Sequence, residues 1–80
     1  MALTLQDRYD IGLDVLGYKR DWRARTRKYH VWTYNPSPVK IYTGRGGSVR
    51  MGLTVASSTP VTEEFKRKLI ENWKNREVVL

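Results

Sequence analysis

Apolar and polar residues alternate with a period of two through the middle of this 80-residue chain and recur every three or four residues towards both ends. The first pattern marks a strand with one buried face, the second an amphipathic helix. Leu5, Tyr9, Leu13 and Leu16 stand four, four and three residues apart, with Gln6, Asp7, Asp10 and Asp14 around the rest of the turn. The spacing predicts a helix over residues 5–16 that turns the four apolar residues inward and the four polar ones to water. Thr4 suits its N-cap, and Gly17 falls where a left-handed residue closes a helix. A second helix is predicted over residues 62–75. Thr59 or Thr62 would cap it, Glu63 and Glu64 sit in its first turn, and Phe65, Leu69, Ile70 and Trp73 form its stripe opposite Arg67, Lys68, Glu71 and Lys74. Val78, Val79 and Leu80 make an apolar end that docks on the core or frays.

Between the helices, KYHVWTY places Tyr29, Val31 and Thr33 on one face and His30, Trp32 and Tyr34 on the other. Asn35, Pro36, Ser37 and Pro38 end it, because proline cannot donate to a ladder. In VKIYT, Val39 and Ile41 oppose Lys40 and Tyr42, and in SVRMGLTV, Val49, Met51, Leu53 and Val55 oppose Arg50, Gly52 and Thr54. Gly44, Arg45, Gly46 and Gly47 make the turn between these two. Taking the apolar sets as one core face gives an α+β fold: N-terminal helix, three-stranded antiparallel meander, C-terminal helix (α-β-β-β-α), in a single small basic domain of residues 1–80. Residues 18–27 have no clean period and read as a loop, in which Trp22 is either an anchor or part of an extra helical turn. Residues 56–60 read as a second loop.

Composition narrows the chemistry. There is no cysteine, which excludes disulfides and a thiolate nucleophile or metal site, and the one histidine, His30, leaves little for zinc or for acid–base work. No cofactor or metal is expected. The amino terminus lacks the basic segment and apolar run of a secretory signal, and no apolar stretch approaches the ~20 residues of a membrane span, so a soluble intracellular protein, cytoplasmic or nucleoid-associated, is expected. The formal charge is +7, and its distribution matters more than its size. Residues 1–17 carry one arginine against three aspartates, residues 18–54 carry nine cations against Asp21 alone, and residues 55–80 carry five cations against four glutamates. The positive field belongs to the middle, which points to a polyanionic partner.

On the expected fold, the sheet face away from the core presents His30, Trp32, Tyr34, Lys40, Tyr42 and Arg50. Rings between cations suit nucleic acid, since bases stack on the rings and phosphates pair with the cations. Arg20, Arg23, Arg25, Arg27 and Lys28 would extend the track, and Arg45 stands at the tip of the TGRGGS turn. That turn matches neither the phosphate-loop nor the dinucleotide pattern and reads as a plain hairpin. The function expected is non-catalytic binding of DNA or RNA, with Trp32 and Tyr42 stacking. The competing structural reading puts one helix on each sheet face, which would make Trp32 and Tyr42 core. The competing functional reading is a protein-interaction module, such as a phage-encoded regulatory inhibitor, docking on an acidic protein surface.

Two resemblances accompany these readings. KYHVWTY followed by KIYTGRGGSVR resembles the GIY-YIG nucleases, with Tyr42-Thr43-Gly44 standing for the second motif, Arg50 for the arginine, and Glu64 or Glu71 for a metal ligand. The first motif lacks its glycine, and Arg50 falls on a predicted strand. The order of strands then helix also resembles the three-stranded DNA-binding domains of plant APETALA-type factors and integrase arm-binding modules, which would lay the sheet in the major groove. That second likeness is one of topology and of basic, aromatic strands.

Overall fold

The computed structural model describes residues 3–24 and 26–78. The elements run α1 (Leu5–Val15), β1 (Lys19–Asp21), β2 (Tyr29–Thr33), β3 (Lys40–Gly44), β4 (Val49–Gly52), β5 (Thr59–Pro60) and α2 (Glu63–Val78). Helix first and helix last agree with the expected order. Val79 and Leu80, from the predicted apolar end, and Arg25 lie outside the described residues.

Thr4 caps α1 as expected. Its hydroxyl accepts from Asp7 N at 3.1 Å while the Asp7 carboxylate accepts from Thr4 N at 3.1 Å, a reciprocal capping box. At the other end Gly17, with φ 98°, lets Tyr18 N reach Leu13 O and Gly17 N reach Asp14 O. The inward face differs from the predicted stripe. Gln6, Tyr9, Asp10, Gly12 and Leu13 are buried, whereas Leu5 and Val15 are exposed. The helix is rotated because Gln6 and Asp10 find polar partners in the sheet.

The sheet has five strands instead of three, in the order β1-β2-β3-β4-β5, every neighbour antiparallel. The two additional strands are its edges. β1 consists of the charged Lys19, Arg20 and Asp21 paired with Thr33, Trp32 and Val31, and charge at an edge hides the apolar alternation that identifies inner strands. β5 is two residues long and holds Pro60, which an edge tolerates. β4 stops at Gly52, short of the predicted residue 55. A Cβ on Gly52 would stand 2.8 Å from Ser58 Cα, so the returning chain passes directly over that glycine, and Leu53 beyond it is 60% exposed.

The register changes which residues share a face. Val31 pairs with Tyr42, Trp32 with Ile41 and His30 with Thr43, while Ile41 pairs with Met51 and Thr43 with Val49. Residues directly opposite one another point the same way. His30 and Trp32 therefore stand with Ile41, Thr43 and Val49, and β2 is turned over relative to the expectation that grouped Val31 with Ile41. Both helices cover this one face. The core joins Tyr9, Leu13, Trp32, Ile41, Val49, Val61 and Leu69, with Leu16, Tyr18, Phe65 and Ile70 packed around it. Val31 and Tyr42 point to the opposite side and are nonetheless buried, and Thr26, Arg27, Lys28 and Tyr29 line a cleft together with Val55 from the loop after β4.

α2 is capped by Thr62, whose hydroxyl accepts from Phe65 N at 3.2 Å, and Leu69 is fully buried. It crosses α1 at Gly12. A Cβ there would stand 2.8 Å from Leu69 Cα and closer still to the Leu69 carbonyl oxygen. A glycine-to-alanine change inside a helix ordinarily stabilises by about 1 kcal/mol. Here the sign reverses: Gly12→Ala is expected to destabilise by about 1–3 kcal/mol, read as a lower urea midpoint, because backbone must move to admit the methyl.

Candidate nucleic-acid interface

One carboxylate ties α1 to the sheet. Asp10 Oδ1 accepts from Trp32 Nε1 at 2.8 Å and from Thr43 Oγ1 at 2.6 Å, and Oδ2 accepts from His30 Nδ1 at 2.7 Å. One turn earlier, Gln6 Nε2 donates to the Thr43 carbonyl at 2.7 Å. A carboxylate offers acceptors only, so His30 Nδ1 carries the hydrogen in this pair. Trp32 and His30 are thereby turned inward. Trp32 is 6% exposed and His30 half-buried, so neither ring forms the expected stacking surface.

Tyr42 is also withdrawn, although no helix covers it. It is 3% exposed, lies edge-on to Tyr29 with ring centroids 6.5 Å apart, and burial pushes its hydroxyl above the usual tyrosine pKa, which keeps the ring neutral. Arg50, its cross-strand partner, is half-buried and occupied. Its Nε donates to Ser58 Oγ at 2.8 Å and its Nη2 to the Ser58 carbonyl at 2.6 Å, which pins the chain ahead of β5 to β4. Lys40, half-buried, shares this side of the sheet.

Three of the remaining cations, Arg27, Lys28 and Arg45, come together. Arg23, Arg27, Lys28 and Arg45 are exposed. Arg45 N donates to the Lys28 carbonyl at 3.1 Å, joining the β3–β4 turn to the basic loop. Lys28 and Arg45 then flank an open cleft of about 270 Å³ floored by Tyr29, Gly44, Gly46 and Ser48. A Cβ on Gly44 would meet the Ser48 hydroxyl, which would have to turn aside. The turn is the plain hairpin expected, closed by Gly44 N to Ser48 O and by Gly47 N to Gly44 O with Gly47 at φ 92°. Arg20 is half-buried, its guanidinium 4.1 Å from the Trp22 ring centroid and 6.0 Å from that of Trp32.

Seven of the eight acidic residues belong to α1 and α2. The eighth, Asp21, has its carboxylate turned on its own loop, accepting from Arg23 N and Ala24 N at 3.1 Å each. The helix layer thus holds seven carboxylates and six cations and is nearly neutral, whereas the strands and loops hold the other nine cations against Asp21 alone. The sheet parts the residues that the nuclease resemblance needs together, since Tyr42 and Arg50 are on the loop side and Glu64 and Glu71 on α2. Among the described residues no three His, Cys, Asp or Glu side chains gather as metal ligands would, and no helix is long and apolar enough to cross a membrane.

Two residues of this region were not singled out from the sequence. Asp10 read as a solvated helix position because its partners lie twenty residues or more away in the chain. Trp22 did carry a signal: it stands among cations with no apolar period to bury it, and it is 64% exposed. No family model, curated protein or solved structure matches the chain.

Removal of the Asp10 carboxylate leaves two buried donors, Trp32 Nε1 and Thr43 Oγ1, without an acceptor, at about 1–3 kcal/mol each. Asp10→Ala is therefore expected to lose roughly 2–5 kcal/mol in a urea titration, a large share of the ~4–12 kcal/mol available to a chain of this length. Asp14→Ala is the contrast. It removes an exposed pair with Arg76 at 2.6 Å and is expected to cost about 0–1 kcal/mol.

Proposed function

We propose that this domain binds a nucleic-acid strand along its loop side and catalyses no reaction on it. The observation that carries the reading is the uneven distribution of charge: six cations offset the seven carboxylates of the helices, while Arg23, Arg27, Lys28 and Arg45 stand exposed in the loop and turn between the strands with Asp21 as the one carboxylate there. At physiological salt the Debye length is about 8 Å, so the helix carboxylates scarcely weaken the attraction of the far side for a polyanion. The residues assigned to phosphates are these four, with Lys19 and Lys40 flanking them. Arg50 has a structural role through Ser58, and Trp32 and Tyr42 are no longer assigned to stacking. The cleft between Lys28 and Arg45 suits a phosphate, because two cations and the Ser48 hydroxyl surround an unhindered glycine backbone.

An acidic protein surface would attract the same cations, and nucleic-acid titration separates the two. Binding of labelled oligonucleotides is expected to weaken log-linearly with salt. Replacing Arg27, Lys28 and Arg45 together by alanine should reduce that slope by about 2–3, while replacing Arg67 and Lys68 on α2 should leave it unchanged. Absence of binding at low salt, or equal effects from the two sets, contradicts the proposal and leaves the protein-surface reading.

A further inference from the structure

Resting on that reading, we propose that Trp22 is a stacking platform for an unpaired base, so that the preferred ligand is a single strand of DNA or RNA and not a duplex. Trp22 is 64% exposed at the end of β1, directly before the basic loop. One face of its indole carries the Arg20 guanidinium, with 4.1 Å between charge centre and ring centroid. A ring covered on both faces could not remain so exposed, and the other face is turned to solvent.

The platform is held from beneath. Arg20 is the cross-strand partner of Trp32 and its guanidinium also lies 6.0 Å from the Trp32 ring, while the Trp32 indole is fixed by Asp10 at 2.8 Å. Trp22 is therefore backed by an arginine held on a paired strand, which lowers the ordering cost of receiving a base. Other exposed rings lack this setting: Tyr34 is 41% exposed but leans on Tyr18, with 5.1 Å between centroids. Arg23, exposed beside Trp22, supplies a cation for the adjoining phosphate. In a duplex the base faces are already occupied by their neighbours, and a protruding indole meets only edges and backbone. A single strand offers every face.

The test compares four ligands of one length at one salt concentration: oligo(dT), oligo(U), a duplex, and an abasic strand carrying phosphates and sugars alone. Wild type is expected to bind oligo(dT) and oligo(U) at least about tenfold more tightly than the abasic strand. Trp22→Ala should erase that margin without changing the salt slope, and Trp22→Phe should keep most of it. Circular dichroism of both variants verifies folding, which an exposed position tolerates. If Trp22→Ala keeps the wild-type margin, or wild type binds duplex and abasic strand as tightly as oligo(dT), the platform is refuted while the phosphate-binding surface stands. If no ligand binds at low salt, the nucleic-acid reading fails with it.

Discussion

The Asp10 carboxylate is the contact on which the arrangement turns. Burying an ion costs several kcal/mol unless donors replace its water, and here three donors do, from His30 and Trp32 on β2 and Thr43 on β3. Those donors exist in one place only if β2 shows its even-numbered and β3 its odd-numbered residues to α1. A slip of one residue in β2 would bring Tyr29, Val31 and Thr33 under the helix and leave the carboxylate without the His30 and Trp32 donors. Hydrophobic burial alone does not discriminate so sharply, because Val31 and Trp32 are both apolar and both buried. The polar cluster specifies the register that the apolar residues then stabilise.

That register has consequences on the far side of the sheet. With Trp32 inward, both helices share one face and carry nearly all the carboxylates with them, and the opposite face is left to two loops. Tyr42 and Val31 supply the apolar floor beneath those loops, Arg50 ties one of them to β4 through Ser58, and Arg45 N joins the other to the β3–β4 turn. The cations are thus displayed by a supported surface. Arg20, on the same face as Trp32, lies against the exposed Trp22 ring at the β1 edge of the sheet, directly before the basic loop in the chain.

Local features were legible in the sequence. Thr4, Gly17 and Thr62 mark helix ends by chemistry confined to a few neighbouring residues, and the three inner strands announce themselves by alternation. The concentration of charge between residues 18 and 54 was equally plain. What alternation cannot supply is which face of one strand matches which face of the next, and the usual preference for valine inside and polar-tipped aromatics outside placed Trp32 wrongly. The deciding partner, Asp10, was itself assigned to solvent, as a lone aspartate on a helix normally is. Edge strands were missed for a related reason: β1 and β5 are short, charged or proline-bearing, and exist as strands only through their neighbours. The interface inherited these errors. The cations of the proposed surface were recognisable as a group, but the exposed tryptophan is Trp22, in the segment that had no period to interpret.

Hydrogen exchange at the three indole N–H groups tests the central claim most directly, because each reports where its tryptophan sits. With Trp32 Nε1 buried and bonded to Asp10, its exchange should be the slowest of the three and approach the rate of global unfolding, while Trp22 exchanges as freely as a solvent-exposed indole. A Trp32 indole that exchanges as fast as that of Trp22 would mean that β2 faces the other way, and the charge-sorted, two-sided molecule described above would be wrong.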